Sequence, residues 1–563
     1  MANLKRDLTT AGAVTLLGVP QGIAYALIAG LPPVAGLYAT AVPAIVGSLF
    51  RSSSQVATGP TNALSLLVGG ALMAGSLGPD PVATALVMAF LVGVFQIAAG
   101  VLRLGSMVDY ISRAVVLGYI TGAGLLIGFG QLGHLTGTEM ARGDPWTRFA
   151  SWTSGLGATD PRSIALALGT VAGMLAIRRY APKIPATVVA LGGGIALSWL
   201  FDFRSLGLAV AGDLSPVPRG LPPFAIPDLS WEVVQRVAPA AFAASVLSLV
   251  ESSSVARSLS AQTGQRIDMN REFVGSGLAN LSAGLMGGYP VSGSLSRSAV
   301  LAQGHGSRWA GVLSGVFMIL VLLLLGPVVD LTPIASLAGL LILVAHDLVD
   351  VSAIRSVMRS LLGDKLAFLG TLIGTWTLPL DTAIYLGVGI SIVLFLRRVG
   401  NLRVRDLVLT GGKFREVDME EAVDDGRCPN IRILHVEGNL FFGAANELQD
   451  AIDEATRDAR VLALVIRLKR ARGLDYTTAG VLMASRARLA STGRHLILAG
   501  MTPKTMELFD DIGLVEAFGT DALFPTKSEW FVAMGDAVAR ARALVGKDHL
   551  EHDCPIDGYL ASR

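Results

Sequence analysis

A carboxylate and a guanidinium stand where water should be scarce. Glu251 lies in Val-Leu-Ser-Leu-Val-Glu-Ser-Ser-Ser-Val-Ala-Arg (246–257), the only acid in the middle of a long apolar run. A carboxyl group removed from water favours its protonated form, so Glu251 is a candidate to bind and release a proton. The competing expectation is a static ion pair with Arg297 or Arg257. Arg297 falls three residues into a short segment, in Ser-Leu-Ser-Arg-Ser (294–298). An arginine inside a bilayer is costly and usually marks function. There it would place fixed positive charge behind an anion; the alternative is an interfacial side chain that reaches back to water.

Two short segments supply the other half of that chemistry. One opens with Ala-Thr-Gly-Pro-Thr (57–61), the other with Gly-Gly-Tyr-Pro-Val-Ser-Gly-Ser (287–294). A helix N-terminus leaves backbone N–H groups unpaired and carries roughly half a positive charge. Two such ends facing one cavity make an anion site without any charged side chain. Small residues there, Gly59, Thr61, Ser292, Gly293, Ser294 and Ser296, would let the anion approach the backbone. The plain alternative is two loops between ordinary helices. Gln21 and Tyr25, beside a helix break at Pro20, could add hydrogen bonds to the same cavity. Arg257 reads as an interfacial anchor, His134 and His346 as structural groups at helix ends, and Asp381 as a helix cap.

These residues need elements to hold them. Of 563 residues, 52% are hydrophobic and 16% charged, against about 25% charged in soluble domains; mean hydropathy is +0.58. The solvent implied is a bilayer. The 65 glycines, scattered through apolar runs, suit close helix contact in lipid. A net charge of +2 gives no case for nucleic acid. Cys428 and Cys554 are far apart, which argues against a disulfide framework or a CxxC metal site. No cleavable signal pattern is present, because the first apolar stretch runs on past Pro20.

With about 20 apolar residues per span, candidate spans fall near 8–31, 34–50, 61–76, 82–102, 112–133, 163–180 and 184–201. A second set falls near 235–259, 272–288, 294–303, 309–325, 327–346, 364–378 and 380–397. The fold class expected is a polytopic α-helical membrane protein of fourteen spans. Seven plus seven is an odd-numbered repeat, so the halves must be inverted, and the short segments are third in each. Such paired, Gly/Pro-interrupted segments are the sequence mark of a transporter's binding site. Placing both termini inside puts sixteen basic residues, from Lys5 to Arg398, in inner loops. Outer loops then hold six: Arg142, Arg148, Arg162, Arg204, Arg219 and Arg236. That bias supports a cytoplasmic N-terminus.

After Arg398 the character changes. The membrane domain is expected over 1–398, a linker and lead-in strand over 399–428, a soluble domain over 429–545 and a loose polar tail over 546–563. Strands at 431–437, 461–468 and 495–499 alternate with helices at 443–459, 477–492 and 503–512, which implies an α/β layer domain.

Two stretches resemble a known family. Pro20-Gln-Gly-Ile-Ala-Tyr-Ala-Leu-Ile-Ala-Gly-Leu-Pro-Pro-Val-Ala-Gly-Leu-Tyr (20–38) is similar to the first-span signature of the sulphate permeases, the solute-carrier anion transporters. Asn280-Leu-Ser-Ala-Gly-Leu-Met-Gly-Gly-Tyr-Pro-Val-Ser-Gly-Ser-Leu-Ser-Arg-Ser-Ala (280–299) is similar to a second signature. Leu440-Phe-Phe-Gly-Ala-Ala (440–445) and Gly473-Leu-Asp-Tyr-Thr-Thr-Ala-Gly (473–480) resemble a STAS domain. The resemblance implies core and gate modules that rock against each other, dimers, and substrates such as sulphate, bicarbonate, chloride or dicarboxylates. It places Glu251 where many members carry an acid used in cation coupling. Sodium-coupled bicarbonate members have an Asp there and a Thr one turn later; this chain has Val255, which favours a proton. It places Thr477 where a related regulator is phosphorylated, but Thr478 replaces the glycine that follows.

The expectation is therefore a proton-coupled secondary transporter of sulphate or a related oxyanion or dicarboxylate, in the inner membrane, with termini and soluble domain cytoplasmic. A sodium-coupled bicarbonate transporter and an uncoupled exchanger or channel are the alternatives. A sensor whose soluble domain does the work, and a nucleobase–proton symporter by fold analogy, stand behind them. No nucleophile–base pair, metal-ligand spacing or phosphate loop points to an enzyme. No cofactor is expected beyond the coupling ion, and the partners expected are lipid, a small anion and a second copy of the chain.

Overall fold

The computed structural model describes residues 2–73, 77–141, 145–181, 184–214, 220–400, 402–410, 413–419, 427–527, 532–546 and 554–561. Arg142, Lys183 and Arg219, which entered the orientation count, lie outside them. The chain divides into two compact units, Met1–Ile392 and Val393–Arg563.

The first unit is helical. In order it contains α1 Ala2–Ile28, α2 Pro33–Phe50, strand β1 Ala57–Gly59, α3 Asn62–Met73, α4 Pro81–Val101 and α5 Arg113–Gly130. Then come α6 Leu132–Thr136, α7 Pro145–Gly155, α8 Pro161–Tyr180, α9 Ala186–Phe201, α10 Ala211–Leu214, α11 Trp231–Thr263 and α12 Met269–Leu285. Strand β2 Ser292–Ser294 leads into α13 Leu295–Gln303, and α14 Arg308–Val329, α15 Ile334–Leu348, α16 Val351–Met358, α17 Leu362–Thr377 and α18 Leu380–Gly400 follow. A helix lies over each of the fourteen predicted segments. Among the described residues seven helical stretches are long and apolar enough to cross a membrane, and a bent pair, Pro145–Ala158 with Pro161–Tyr180, would make an eighth.

Local chemistry sets the ends. Asp80, Asp160 and Asp268 cap α4, α8 and α12 by accepting first-turn N–H groups, and prolines at Pro33, Pro81 and Pro161 begin helices where no N–H is needed. Within the bundle, glycines let backbones touch. A methyl group on Gly36 of α2 would collide with the carbonyl oxygen of Gly22 in α1, so these helices pack at backbone distance. That contact fixes the part of α1 that carries Gln21 and Tyr25.

The second unit is a six-stranded sheet of order β4-β3-β5-β6-β7-β8. Its strands are β3 Arg403–Thr410, β4 Lys413–Val417, β5 Ile431–Asn439, β6 Ala463–Arg472, β7 His495–Met501 and β8 Leu523–Pro525. Strands β5 to β8 run parallel, while β3 pairs antiparallel with β4 and β5. The helices are α19 Ala445–Ala455, α20 Tyr476–Ser491, α21 Pro503–Asp511, α22 Leu514–Phe518, α23 Val532–Val545 and α24 Pro555–Ala561. Both sheet faces are covered. Leu434, Ile466 and Leu498 pack with α19 to α22 on one side, and Ile433, Val465 and Ile497 with α23 and α24 on the other.

Three expectations need correction. The stretch read as linker and lead-in strand supplies two strands, β3 and β4; positions 401, 411–412 and 420–426 lie outside the described residues. Cys428 and Cys554 are joined in a disulfide, with Cα atoms 5.0 Å apart across 126 positions. The sheet closes that separation, because Cys428 precedes β5 and Cys554 precedes a helix that returns to β3. For the same reason the tail is not loose throughout: Ile556 is buried and Tyr559 meets Phe414 edge-on. Residues 547–553 and 562–563 lie outside the described set.

Gly36→Val is expected to lower stability by about 1–3 kcal/mol, read as melting temperature in detergent. Gly12→Ala, inside α1 and with an added methyl that meets nothing within 4 Å, should not lower it.

Candidate functional site

The two short segments meet. Strands β1 and β2 pair antiparallel, with Ala57 opposite Ser294, Thr58 opposite Gly293 and Gly59 opposite Ser292. Each strand runs directly into a short helix, α3 of twelve residues and α13 of nine. Their N-terminal ends are thus brought to one short ladder, where the unpaired N–H groups and positive helix ends accumulate. Ser294 occupies the cap position of α13 but makes no side-chain cap bond, which leaves first-turn donors for a ligand.

Side chains from two other elements, α1 and α11, converge there. Thr61 Oγ1 donates to the Glu251 carboxylate at 2.8 Å. Gln21 Nε2 of α1 donates to Ser296 Oγ at 3.2 Å, and Ser296 Oγ lies 3.3 Å from Ser294 Oγ. Tyr25, one turn after Gln21, is buried in the electrostatic neighbourhood of Arg297 and Glu251. Gly293 N–H donates to Ser252 Oγ at 2.9 Å and Ser292 Oγ to the Ser248 carbonyl at 3.1 Å, which fastens β2 to α11. Ser296 is exposed, whereas Ser292, Gly293 and Ser294 are buried, so the cluster opens on the Ser296 side.

Arg297 is 1% exposed, which excludes the interfacial alternative. Its Nη2 donates to the Pro60 carbonyl at 2.8 Å, tying α13 to the entry of α3. Glu251 takes its hydrogen bond from Thr61, and among the described residues no ion pair joins it to Arg297. The static Glu251–Arg297 pair is therefore not the arrangement seen. Nine membrane residues singled out from sequence, together with Glu251, form one cluster. Thr477 does not join it: it lies exposed in the first turn of α20 in the soluble unit.

Sequence reasoning missed the Pro60 carbonyl, Ser248, Ser252, and a buried hydroxyl pair, Ser65 with Tyr289 at 2.9 Å. The serine row on α11, Ser248 and Ser252 one turn apart, was the available signal. His134 lies in α6 and His346 in the last turn of α15. Asp381 accepts from Thr382 N–H at the start of α18. Arg257 is exposed towards the far end of α11.

With that geometry in hand, comparison places the chain. The sequence profile of the sulfate permease family matches residues 4–371, and that of the STAS domain matches 424–529. This chain belongs to the sulfate permease family. A probable sulfate transporter of Mycobacterium tuberculosis is 27% identical over 530 residues, covering 93% of this chain and 94% of that one. Solute carrier family 26 member 6 of Homo sapiens is 27% identical over 480 residues, 80% of this chain and 62% of that one. Among solved structures, murine solute carrier 26 family member A9, described as an anion transporter in the inward-facing state, superposes with a TM-score of 0.85 at 18% identity, covering 96% of this chain and 91% of that chain. The transmembrane domain of a cyanobacterial bicarbonate transporter superposes with a TM-score of 0.58 at 22% identity, covering 69% and 97%. These likenesses show the fold. The chain is a multi-pass membrane protein with a STAS domain.

In that domain Asp475 caps α20. Its carboxylate accepts from Thr478 N–H and Oγ1 and from Phe442 N–H. Burial alone would push the carboxyl up, but those donors outweigh it and hold it below the usual range. Its stabilising contribution is present above the unfolded value of about 4 and lost as pH falls through the folded one. Asp475→Ala should therefore lower the melting temperature at pH 7, with the gap to the unsubstituted chain closing in acid. In the membrane unit, a methyl on Gly59 would strike the Arg297 guanidinium. Gly59→Ala should raise the sulphate concentration that half-saturates thermal stabilisation by about tenfold, or about 1.4 kcal/mol.

Proposed function

We propose that this sulfate permease is a secondary active transporter of a small anion. The observation that carries the reading is the β1–β2 ladder, which brings two helix N-termini to one place, with Arg297 tied to the Pro60 carbonyl beside it. Backbone N–H groups and positive helix ends favour an anion, and a dry surrounding strengthens their effect. Gln21, Tyr25, Thr61, Ser294 and Ser296 would orient it, while Gly59, Ser292 and Gly293 let it approach the backbone. The relatives, a probable sulfate transporter and a bicarbonate transporter among them, point to sulphate among the oxyanions, with dicarboxylates and bicarbonate of similar chemistry. Movement by alternating access, fourteen spans in two inverted halves, and a dimer belong to the same proposal. So do an inner-membrane location and cytoplasmic termini and STAS domain, supported by the basic-residue bias.

Glu251 is the coupling group in this reading. A carboxylate bonded to Thr61, at the mouth of an anion pocket, can take up a proton as the anion enters and so cancel part of its charge. A proton is favoured over sodium by a specific contact. Val255, one turn after Glu251, packs with Val56, Ala256 and Leu259 and offers no oxygen to a cation. Glu251→Gln should abolish sulphate uptake driven by an inward proton gradient in proteoliposomes, with melting temperature retained. Unchanged gradient dependence would remove the proton role. Large currents independent of pH would replace transport by conduction.

A further inference from the structure

Both half-sites hang from one helix. On α12, Glu272, Ser276 and Asn280 form a row at i, i+4 and i+8, and all three are fully buried. Such a row is a helix ridge, here polar in an otherwise apolar surrounding. At one end Glu272 holds the chain that enters β1. Its carboxylate accepts from Ser52 N–H at 3.1 Å and Ser53 N–H at 3.0 Å, and Arg51 Nη1 stands 3.3 Å away. Arg51, an inner-loop charge by sequence, is 0% exposed. At the other end Asn280 holds the chain that enters β2. Its Oδ1 accepts from Val291 N–H at 2.8 Å and its Nδ2 donates to the Val291 carbonyl at 2.9 Å. That side chain thus pairs with both backbone groups of Val291, as a neighbouring strand would.

The Asn280 end is braced further. Asn280 Nδ2 reaches Gln96 Oε1 at 3.0 Å and the Ser276 carbonyl at 3.2 Å. Gln96 Nε2 donates to Ser248 Oγ at 2.9 Å, which donates to the Val291 carbonyl at 3.0 Å. Buried, mutually bonded polar groups of this kind hold one geometry, because each broken bond strands a partner away from water.

We infer that the Glu272–Ser276–Asn280 ridge of α12 sets the register of the two half-sites, and that Asn280, Gln96 and Glu272 are positioning residues for the anion pocket. The inference rests on reading the ladder as the substrate site. None of the three touches the pocket; each acts through backbone that does. Binding that depends on positioned groups degrades when their support is loosened.

The full chain in detergent is tested first by hydrogen–deuterium exchange. Asn280→Ser and Glu272→Gln should each speed exchange at 57–59 and 291–294 by about tenfold, because the paired strands share one support. Reconstituted, Asn280→Ser should raise KM for sulphate about tenfold with Vmax within about twofold. Phe368→Ala, a buried change in α17, which packs against α5, should lower melting temperature and move neither readout. Unaltered exchange at both strands in Asn280→Ser, or an unaltered KM, overturns the inference. Should Asn280→Ser fail to fold, Gln96→Leu decides by the same exchange readout. An unsubstituted chain that binds and transports none of sulphate, bicarbonate or fumarate would defeat the anion reading, while the exchange comparison would still judge the ridge.

Discussion

The structure turns on backbone hydrogen bonding in a place without water. Lipid offers no partner for an N–H or C=O group, so chain inside a bilayer is helical, or it is bonded to protein. Residues 57–59 and 292–294 are neither helical nor exposed. They satisfy each other across an antiparallel ladder and are fastened by the Ser252 and Ser298 hydroxyls and the Ser248 carbonyl. Everything proposed for the pocket follows from that solution. Because the strands pair antiparallel, the short helices begin at opposite ends of one three-residue ladder, and their unused donors flank it.

The surrounding chemistry is consistent with this demand. Arg297 is bonded to the Pro60 carbonyl and not to an acid, so its charge is not cancelled within the cluster. Glu251 is bonded to a hydroxyl, a partner that can donate to a carboxylate or accept from a carboxylic acid. Glycine contacts such as Gly22 with Gly36 keep α1 close enough for Gln21 to reach Ser296. The soluble unit follows different rules. There, water is available, and stability comes from two apolar layers, a disulfide, and paired charges such as buried Asp406 with Arg427 and Arg432.

Much of this was legible in the residues. The brevity of two segments, their Gly and Pro openings, and charges inside apolar runs were enough to gather Gln21, Tyr25, Thr61, Glu251 and Arg297 in one place. What escaped was non-local. The hairpin of β3 and β4 reads as a charged linker because one face of an edge hairpin meets solvent, so exposed charges such as Arg403, Arg405 and Arg415 interrupt the apolar positions. Cys428 and Cys554 carry no sign of their pairing, since a parallel sheet lies between them in sequence. Arg51 looks like a loop cation until Glu272, distant along the chain, is seen opposite. The polar ridge of α12 has no local meaning until Val291 and Ser53 are placed against it.

The lengths of the two short helices have a further consequence. At about 1.5 Å per residue, twelve and nine residues come to about 18 and 14 Å, together about one hydrocarbon thickness. In the proposed arrangement, two pieces of chain, separated by more of the sequence than either half of the bundle, amount to a single composite crossing with like poles at its seam and negative poles at its outer tips. Such a charge distribution is a quadrupole, not a dipole. Its field dies away more steeply with distance, so the attraction for an anion is confined to the seam and does little to pull counter-ions from the bulk.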